Sequence, residues 1–143
     1  MKLIVDADAC PVKEMIARVA STYHLEVLWV ASIDHEINMA SGTHIQVDAG
    51  RDAADHAIIG LTDTASLVVT QDYGLAAVCL AKGATVLHPD GWRYRHETID
   101  GLLAQRTMHQ AIRRAGGRHK GPKKRKKDAD KQFETLLEAH LKM

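Results

Sequence analysis

The chain is poor in aromatic residues, which make up only 4% of its 143 residues. A core of that composition must be built from aliphatic side chains and alanine. Only two cysteines occur, Cys10 and Cys79. They form neither a disulfide framework nor a pair at zinc-ligand spacing. No apolar run approaches the roughly 18 residues needed to cross a bilayer. The opening MKLIVDAD enters a strand pattern at once, and its acids interrupt it too early for a signal peptide. The nine histidines are scattered, without the spacing of a metalloprotease helix, and read mostly as surface or turn residues. There is no G-x-G-x-x-G, no Walker-type loop and no internal repeat. These absences leave a cytoplasmic protein of bacterial type, with one core and an ordinary balance of 45% hydrophobic and 26% charged residues.

Acidic residues are missing from one stretch. Residues 106–127 carry ten Lys and Arg and no Asp or Glu, whereas residues 1–105 are net −7. The overall charge of +1 conceals this division. An acidic body beside a concentrated basic segment points to a metal site next to a polyanion-binding surface. The basic residues singled out are Arg106, Arg113, Arg118, Lys120, Lys123, Lys124 and Arg125. The competing reading is a solvated charge run that aids solubility. No aromatic residue interrupts the run, so it favours backbone-directed, salt-sensitive binding over base stacking.

Short apolar runs alternate with helical patterns along the chain. Strands are expected at Lys2–Asp6, Leu25–Val30, Ile45–Asp48, Leu67–Thr70 and Ala84–Leu87. Helices are expected from Pro11, over Arg51–Leu61, Leu75–Lys82 and Ile99–Ala115, and over Asp130–Leu141. Gly83 suits a helix C-cap, and His88-Pro89-Asp90-Gly91 suits a turn. This alternation predicts an α/β fold with a mainly parallel sheet of about five strands and right-handed crossovers. The expected organisation is an α/β domain over 1–117, a mobile basic connection over 118–127, and a C-terminal helix over 128–143 packed on the same domain.

Five aspartates fall where strands run out or the next helices begin: Asp6, Asp8, Asp52, Asp55 and Asp72. In a parallel sheet those positions share one edge, where ligands bind. Clustered carboxylates need protons, a basic partner or a divalent cation. Oxygen-only donors favour Mg²⁺ or Mn²⁺. Each acid also has a structural alternative. Asp6 and Asp8, two apart on a strand, would face one side, yet either could cap the following helix. Asp52 and Asp55 share a helix face near its N-terminus, where acids meet the helix dipole favourably. Asp48 could equally be the N-cap. Asp72 could cap a helix beginning at Tyr73-Gly74, with Thr70 placed to bond a carboxylate or phosphate oxygen. Asp90 reads as a turn residue, and Cys10 as a small buried spacer rather than a nucleophile.

The strings DADACPVK at 6–13, DAGRDAADHAI at 48–58 and VVTQDYGLA at 68–76 resemble the YaiI/YqxD family. The match runs over almost the whole chain, with the motifs in order. The resemblance implies a PIN-like, three-layer sheet flanked by helices, and an acidic centre of the kind used by metal-dependent nucleases. By position, Asp6 matches the first-strand acid, Asp55 or Asp52 the helix acid, and Asp72 the acid of a T-x-D pattern; Asp8 would be a further acid of this family. Two departures stand out. The fourth acid of many PIN nucleases has no clear counterpart, since Asp90 occupies a turn where relatives often carry Arg. Lys123–Lys127 replaces a Pro-Phe segment.

The leading expectation is therefore a nuclease acting on RNA or another nucleic acid. Its catalytic acids would be Asp6, Asp8, Asp55 and Asp72, with Asp52 as a further ligand to Mg²⁺ or Mn²⁺ and Thr70 beside them. One alternative is a non-catalytic nucleic-acid-binding or regulatory module. Another is a phosphatase of the haloacid-dehalogenase type using Asp6-x-Asp8, Thr70 and Lys82, although its final acidic pair is missing.

Overall fold

The computed structural model describes residues 1–32, 41–48, 52–114 and 128–142, with residues 9, 106, 109, 110 and 112–114 described for their backbone only. Six strands form one sheet: β1 (Lys2–Asp6), β2 (Glu26–Ser32), β3 (Thr43–Val47), β4 (Ser66–Val69), β5 (Thr85–His88) and β6 (Trp92–Arg93). Their order is β3-β2-β1-β4-β5-β6. The first five are parallel, and β6 runs antiparallel to β5. Five helices cover the sheet: α1 (Lys13–Thr22), α2 (Ala53–Leu61), α3 (Tyr73–Ala81), α4 (His96–Arg114) and α5 (Ala129–Leu141).

Alternating side chains explain the two covered faces. In β1, Leu3 and Val5 enter the apolar layer shared with α1 and α5, while Ile4 enters the layer shared with α2, α3 and α4. A strand buried on both sides reads as a continuous apolar run, as LIV does here. Helix α1 turns Ile16, Val19 and Ala20 to the sheet at helical spacing. From α5, Phe133 and Leu137 are fully buried in the same layer.

The sheet has one strand more than the five expected. His88-Pro89-Asp90-Gly91 does make the turn, closed by the Gly91 N–H bonding to the His88 carbonyl at 3.0 Å. The chain then pairs back as β6, a strand too short for a periodic signal. Gly91 lies at φ +96°, and a Cβ there would stand 2.6 Å from the Gln132 Cβ. Only glycine can both make this turn and let α5 approach.

Strand order fixes where a ligand can enter. From β1 the chain winds outward to β2 and β3, then crosses to β4 on the other side and continues to β5. The reversal lies between β1 and β4, where the chain leaves β1 for α1 on one face and β4 for α3 on the other, and the crevice between those connections is where such sheets bind ligands.

Candidate active site

Asp6 ends β1 and Thr70 follows β4, so both line that crevice. The Thr70 hydroxyl donates to Asp6 Oδ2 at 2.9 Å and accepts the Asp72 N–H at 3.0 Å. The Thr70 N–H itself donates to the Leu87 carbonyl at 3.1 Å, extending the β4–β5 pairing by one residue. Thr70 is buried. One hydroxyl thus ties the acid of one strand to the loop after its neighbour.

Asp72 caps α3. Its Oδ1 accepts the N–H groups of Gly74 and Leu75 at 2.9 and 3.2 Å. Capping and membership of the acidic edge are therefore not alternatives, because the cap holds the carboxylate at the mouth of the crevice. Asp55 lies in the first turn of α2 and is partly buried. Its carboxylate accepts no hydrogen bond among the described residues. Burial first, then the charges of Asp72, Asp6 and Asp52, push its pKa up to about 6, while His56 opposes them weakly. Asp6 is also raised above 3.8. Burial is the main cause, the Thr70 bond opposes it, and Asp8 and Asp72 add repulsion. Acids from three distant segments thus act on one another electrostatically.

Asp8 reaches this edge by a different route from the one expected. The strand stops at Asp6, and Ala7–Ala9 form a 3₁₀ turn, so the two-residue alternation of a strand does not apply. Asp8 instead accepts the Ser32 N–H through Oδ1 and Oδ2 at 3.0 and 3.3 Å, tying the turn to the end of β2. Asp52 stands at the N-cap position of α2, is exposed, and makes no capping bond through its side chain. Asp48 is exposed after β3. With β2 between β3 and β1, it stands roughly 10 Å from the crevice. Asp90 is a turn residue whose N–H donates to His88 Nδ1 at 3.0 Å. Cys10 is buried in the apolar layer with α1.

Lys82 lies at the opposite end of α3 from Asp72, with its ammonium on the Ile59 carbonyl. A nine-residue helix separates them by about 13 Å. Lys82 therefore does not meet Asp6 as a haloacid-dehalogenase-type centre would require. The basic residues Arg118, Lys120, Lys123, Lys124 and Arg125 lie outside the described residues, as do the side chains of Arg106 and Arg113.

No group of three His, Cys, Asp or Glu side chains that could hold a metal ion occurs among the described residues. The carboxylates sense one another's charge without closing on a common centre. Their donor chemistry, carboxylate oxygen throughout, suits Mg²⁺ or Mn²⁺.

A neighbouring feature escaped the sequence reading. Tyr73, His88, Trp92 and Tyr94 gather beside the crevice. His88 and Trp92 stack at 4.5 Å with planes 12° apart, and Tyr94 lies 4.6 Å from Trp92. His88 opens the turn as expected, but its ring is buried rather than at the surface. The Tyr94 hydroxyl donates to the Thr70 carbonyl at 3.1 Å. Burial raises its pKa, with Tyr73, Asp72, Asp90 and Asp6 adding to the shift. The available signal was HPDGWRY, where His88, Trp92 and Tyr94 alternate about a turn as a hairpin would.

No helix among the described residues is long and apolar enough to cross a membrane. The chain is 47% identical to a "UPF0178 protein" of Natranaerobius thermophilus, covering 96% of this chain and 93% of that one. It is 46% identical to a counterpart in Alkaliphilus oremlandii, covering 99% and 91%. Among solved structures, a mutant of Rae1 (YacP) from Bacillus subtilis aligns over 99% of this chain and 98% of its own, with TM-score 0.47 and 18% identity. The family model described as "Uncharacterized BCR, YaiI/YqxD family" matches residues 4–143, and with relatives this similar over nearly their whole length the chain belongs to the YaiI/YqxD family.

Proposed function

We propose that the crevice between β1 and β4 is a divalent-metal-dependent phosphodiesterase centre of PIN-like type, acting on RNA or another nucleic acid. The observation that carries this reading is the mutual repulsion of Asp6, Asp55 and Asp72, brought together from three segments at the edge where parallel sheets bind ligands. Repulsion of this kind costs stability, and a cation relieves it.

Asp6, Asp55 and Asp72 would hold the ion, with Asp8 and Asp52 flanking them. Bound there, Mg²⁺ or Mn²⁺ would supply a water of lowered pKa and neutralise charge building on the phosphoryl oxygens. In all, one water would be consumed and one P–O ester bond broken, the water oxygen passing to phosphorus and one of its protons to the departing oxygen, to leave a phosphate monoester and a hydroxyl. Thr70 fixes the Asp6 carboxylate, and the α3 cap fixes that of Asp72, so neither has to be ordered during turnover. The basic residues after Arg106 would hold neighbouring phosphates.

The test is cleavage of a labelled RNA in Mg²⁺ or Mn²⁺ by wild type, Asp6→Asn and Asp72→Asn. Loss of at least about 100-fold in each variant is expected. Full activity in both variants overturns the reading. A second reading is a nucleic-acid-binding or regulatory module without turnover. It draws support from the lack of a ready three-residue metal group among the described residues. RNA binding that survives EDTA, with no cleavage in any metal, is its signature.

A further inference from the structure

The aromatic residues are distributed unevenly. Half of the six Phe, Trp and Tyr residues, Tyr73, Trp92 and Tyr94, lie in one cluster with His88. The rest of the core is built mainly from aliphatic side chains. Tyr94 is fully buried and His88 nearly so, while Tyr73 and Trp92 keep part of their surface exposed.

The cluster also adjoins the acids. Tyr73 follows Asp72 directly in sequence. Tyr94 is bonded to the carbonyl of Thr70, whose hydroxyl holds Asp6. One residue therefore separates the phenol from the carboxylate. Edge-to-face contacts of Tyr73 with Trp92 at 6.3 Å and with Tyr94 at 5.9 Å make the group rigid.

We propose that Tyr73 and Trp92 form a stacking platform for an unpaired nucleobase, next to the phosphate engaged at the acidic crevice. The acids repel a bare polyanion. A nucleobase is uncharged and presents a π-face, so it is the part of a nucleic acid that this edge attracts without help from a cation. A base within a duplex is already stacked and cannot reach the platform, so the ligand class is single-stranded nucleic acid. The stacked His88 and the buried Tyr94 back the platform and spare it the entropy of ordering on binding. The inference rests on the nucleic-acid reading of the crevice, not on turnover there.

The experiment uses the full chain in EDTA, so that no cleavage intervenes. A fluorescent eight-nucleotide single strand, the same strand with abasic sites at its centre, and a duplex of equal length are titrated by anisotropy. The base-bearing strand binds about 10-fold or more tightly than the abasic strand or the duplex. Tyr73→Leu and Trp92→Leu each remove most of that difference, and Trp92→Phe retains most of it. Trp92 emission is quenched by the base-bearing strand, against a constant background from the buried Trp29. Equal affinity for base-bearing and abasic strands overturns the proposal. Wild-type affinity in Tyr73→Leu and Trp92→Leu, both shown to be folded by circular dichroism, does so as well. RNA cleavage in Mn²⁺ measured in parallel separates the two readings. Cleavage without base preference sinks the platform alone; base preference without cleavage supports the platform and sinks only the phosphodiesterase.

Discussion

Replacing Asp55 with Asn should make the protein more stable at neutral pH. The folded pKa of Asp55 is about 6, against 3.8 for the free carboxyl. Below pH 3.8 the group is protonated in both the folded and unfolded states and costs nothing. As pH rises from about 4 through 6, the unfolded chain ionises freely, while the folded chain must ionise against burial and the charges of Asp72, Asp6 and Asp52. Stability present in acid is therefore lost across that window. A shift of about two units corresponds to ~3 kcal/mol at most. Solvent reaches Asp55, and screening leaves about 1–2 kcal/mol. An acid in the first turn of α2 also meets the helix dipole favourably, and losing it subtracts about 0.5 kcal/mol. The net gain for Asp55→Asn at pH 7 is about 1 kcal/mol, or roughly 2–4 °C in Tm. Urea melts of wild type and variant at half-unit steps from pH 4 to pH 7.5 are the assay. The curves should nearly meet at pH 4 and separate through pH 6, with the variant on top. Asp6 still titrates in the variant, so its slope is reduced rather than abolished. Parallel curves, or a variant less stable at pH 7, would refute the claim that Asp55 is held against its neighbours' charge.

Asp72→Asn should keep most of the stability, because Asn caps a helix as well as Asp, whereas Asp72→Ala should lose about 1 kcal/mol in urea melts. Thr70→Val removes the hydroxyl's bond to the Asp6 carboxylate and the bond it accepts from the Asp72 N–H; thermal and urea melts should show a loss of about 2–4 kcal/mol, with the Asp6 pKa rising further by NMR titration. Gly91→Ala forces a Cβ at positive φ against Gln132 and should cost about 1–3 kcal/mol, with amide exchange quickening first in α5. Arg18→Ala removes an exposed ion pair to Glu134 at 3.0 Å and should change stability by less than about 1 kcal/mol.

The centre of the parallel sheet was legible because β1, β2, β4 and β5 are largely buried on both faces and so spell short apolar runs, whereas the edge strand β3 is mostly exposed. LIV in β1 and VV in β4 leave little else to be. Asp6 and Asp72 were legible as residues of the carboxyl edge for the same reason: once strand ends are known, the residues after them are too. The position of Asp8 was not legible, since a 3₁₀ turn of three residues has no period of its own. It depends on a backbone N–H donor at Ser32, 24 residues away. The sixth strand was hidden because two residues cannot display alternation. His88 was legible as part of the turn but not as a buried ring, because a lone histidine carries no sign of the Trp92 ring against which it packs. In each case local pattern was outweighed by a packing partner, distant in sequence for Asp8 and just across the tight β5–β6 turn for the sixth strand and His88.

The remaining question is how a fold tolerates four carboxylates at one edge. Three of them are tied down by donors that the fold must satisfy anyway. The N–H at the end of β2 needs an acceptor and finds Asp8. The first N–H groups of α3 need a cap and find Asp72. The hydroxyl of buried Thr70 needs an acceptor and finds Asp6. These bonds offset part of the repulsion and orient each carboxylate without a ligand. Asp55 has no such donor among the described residues. Burial and the field of the others, opposed only weakly by His56, raise it to about 6. The structural needs of the sheet edge thus account for three acids of the cluster but not for the fourth. Asp55 costs the fold stability and accepts no hydrogen bond among the described residues in return, so it is the acid that the proposed cation would relieve most.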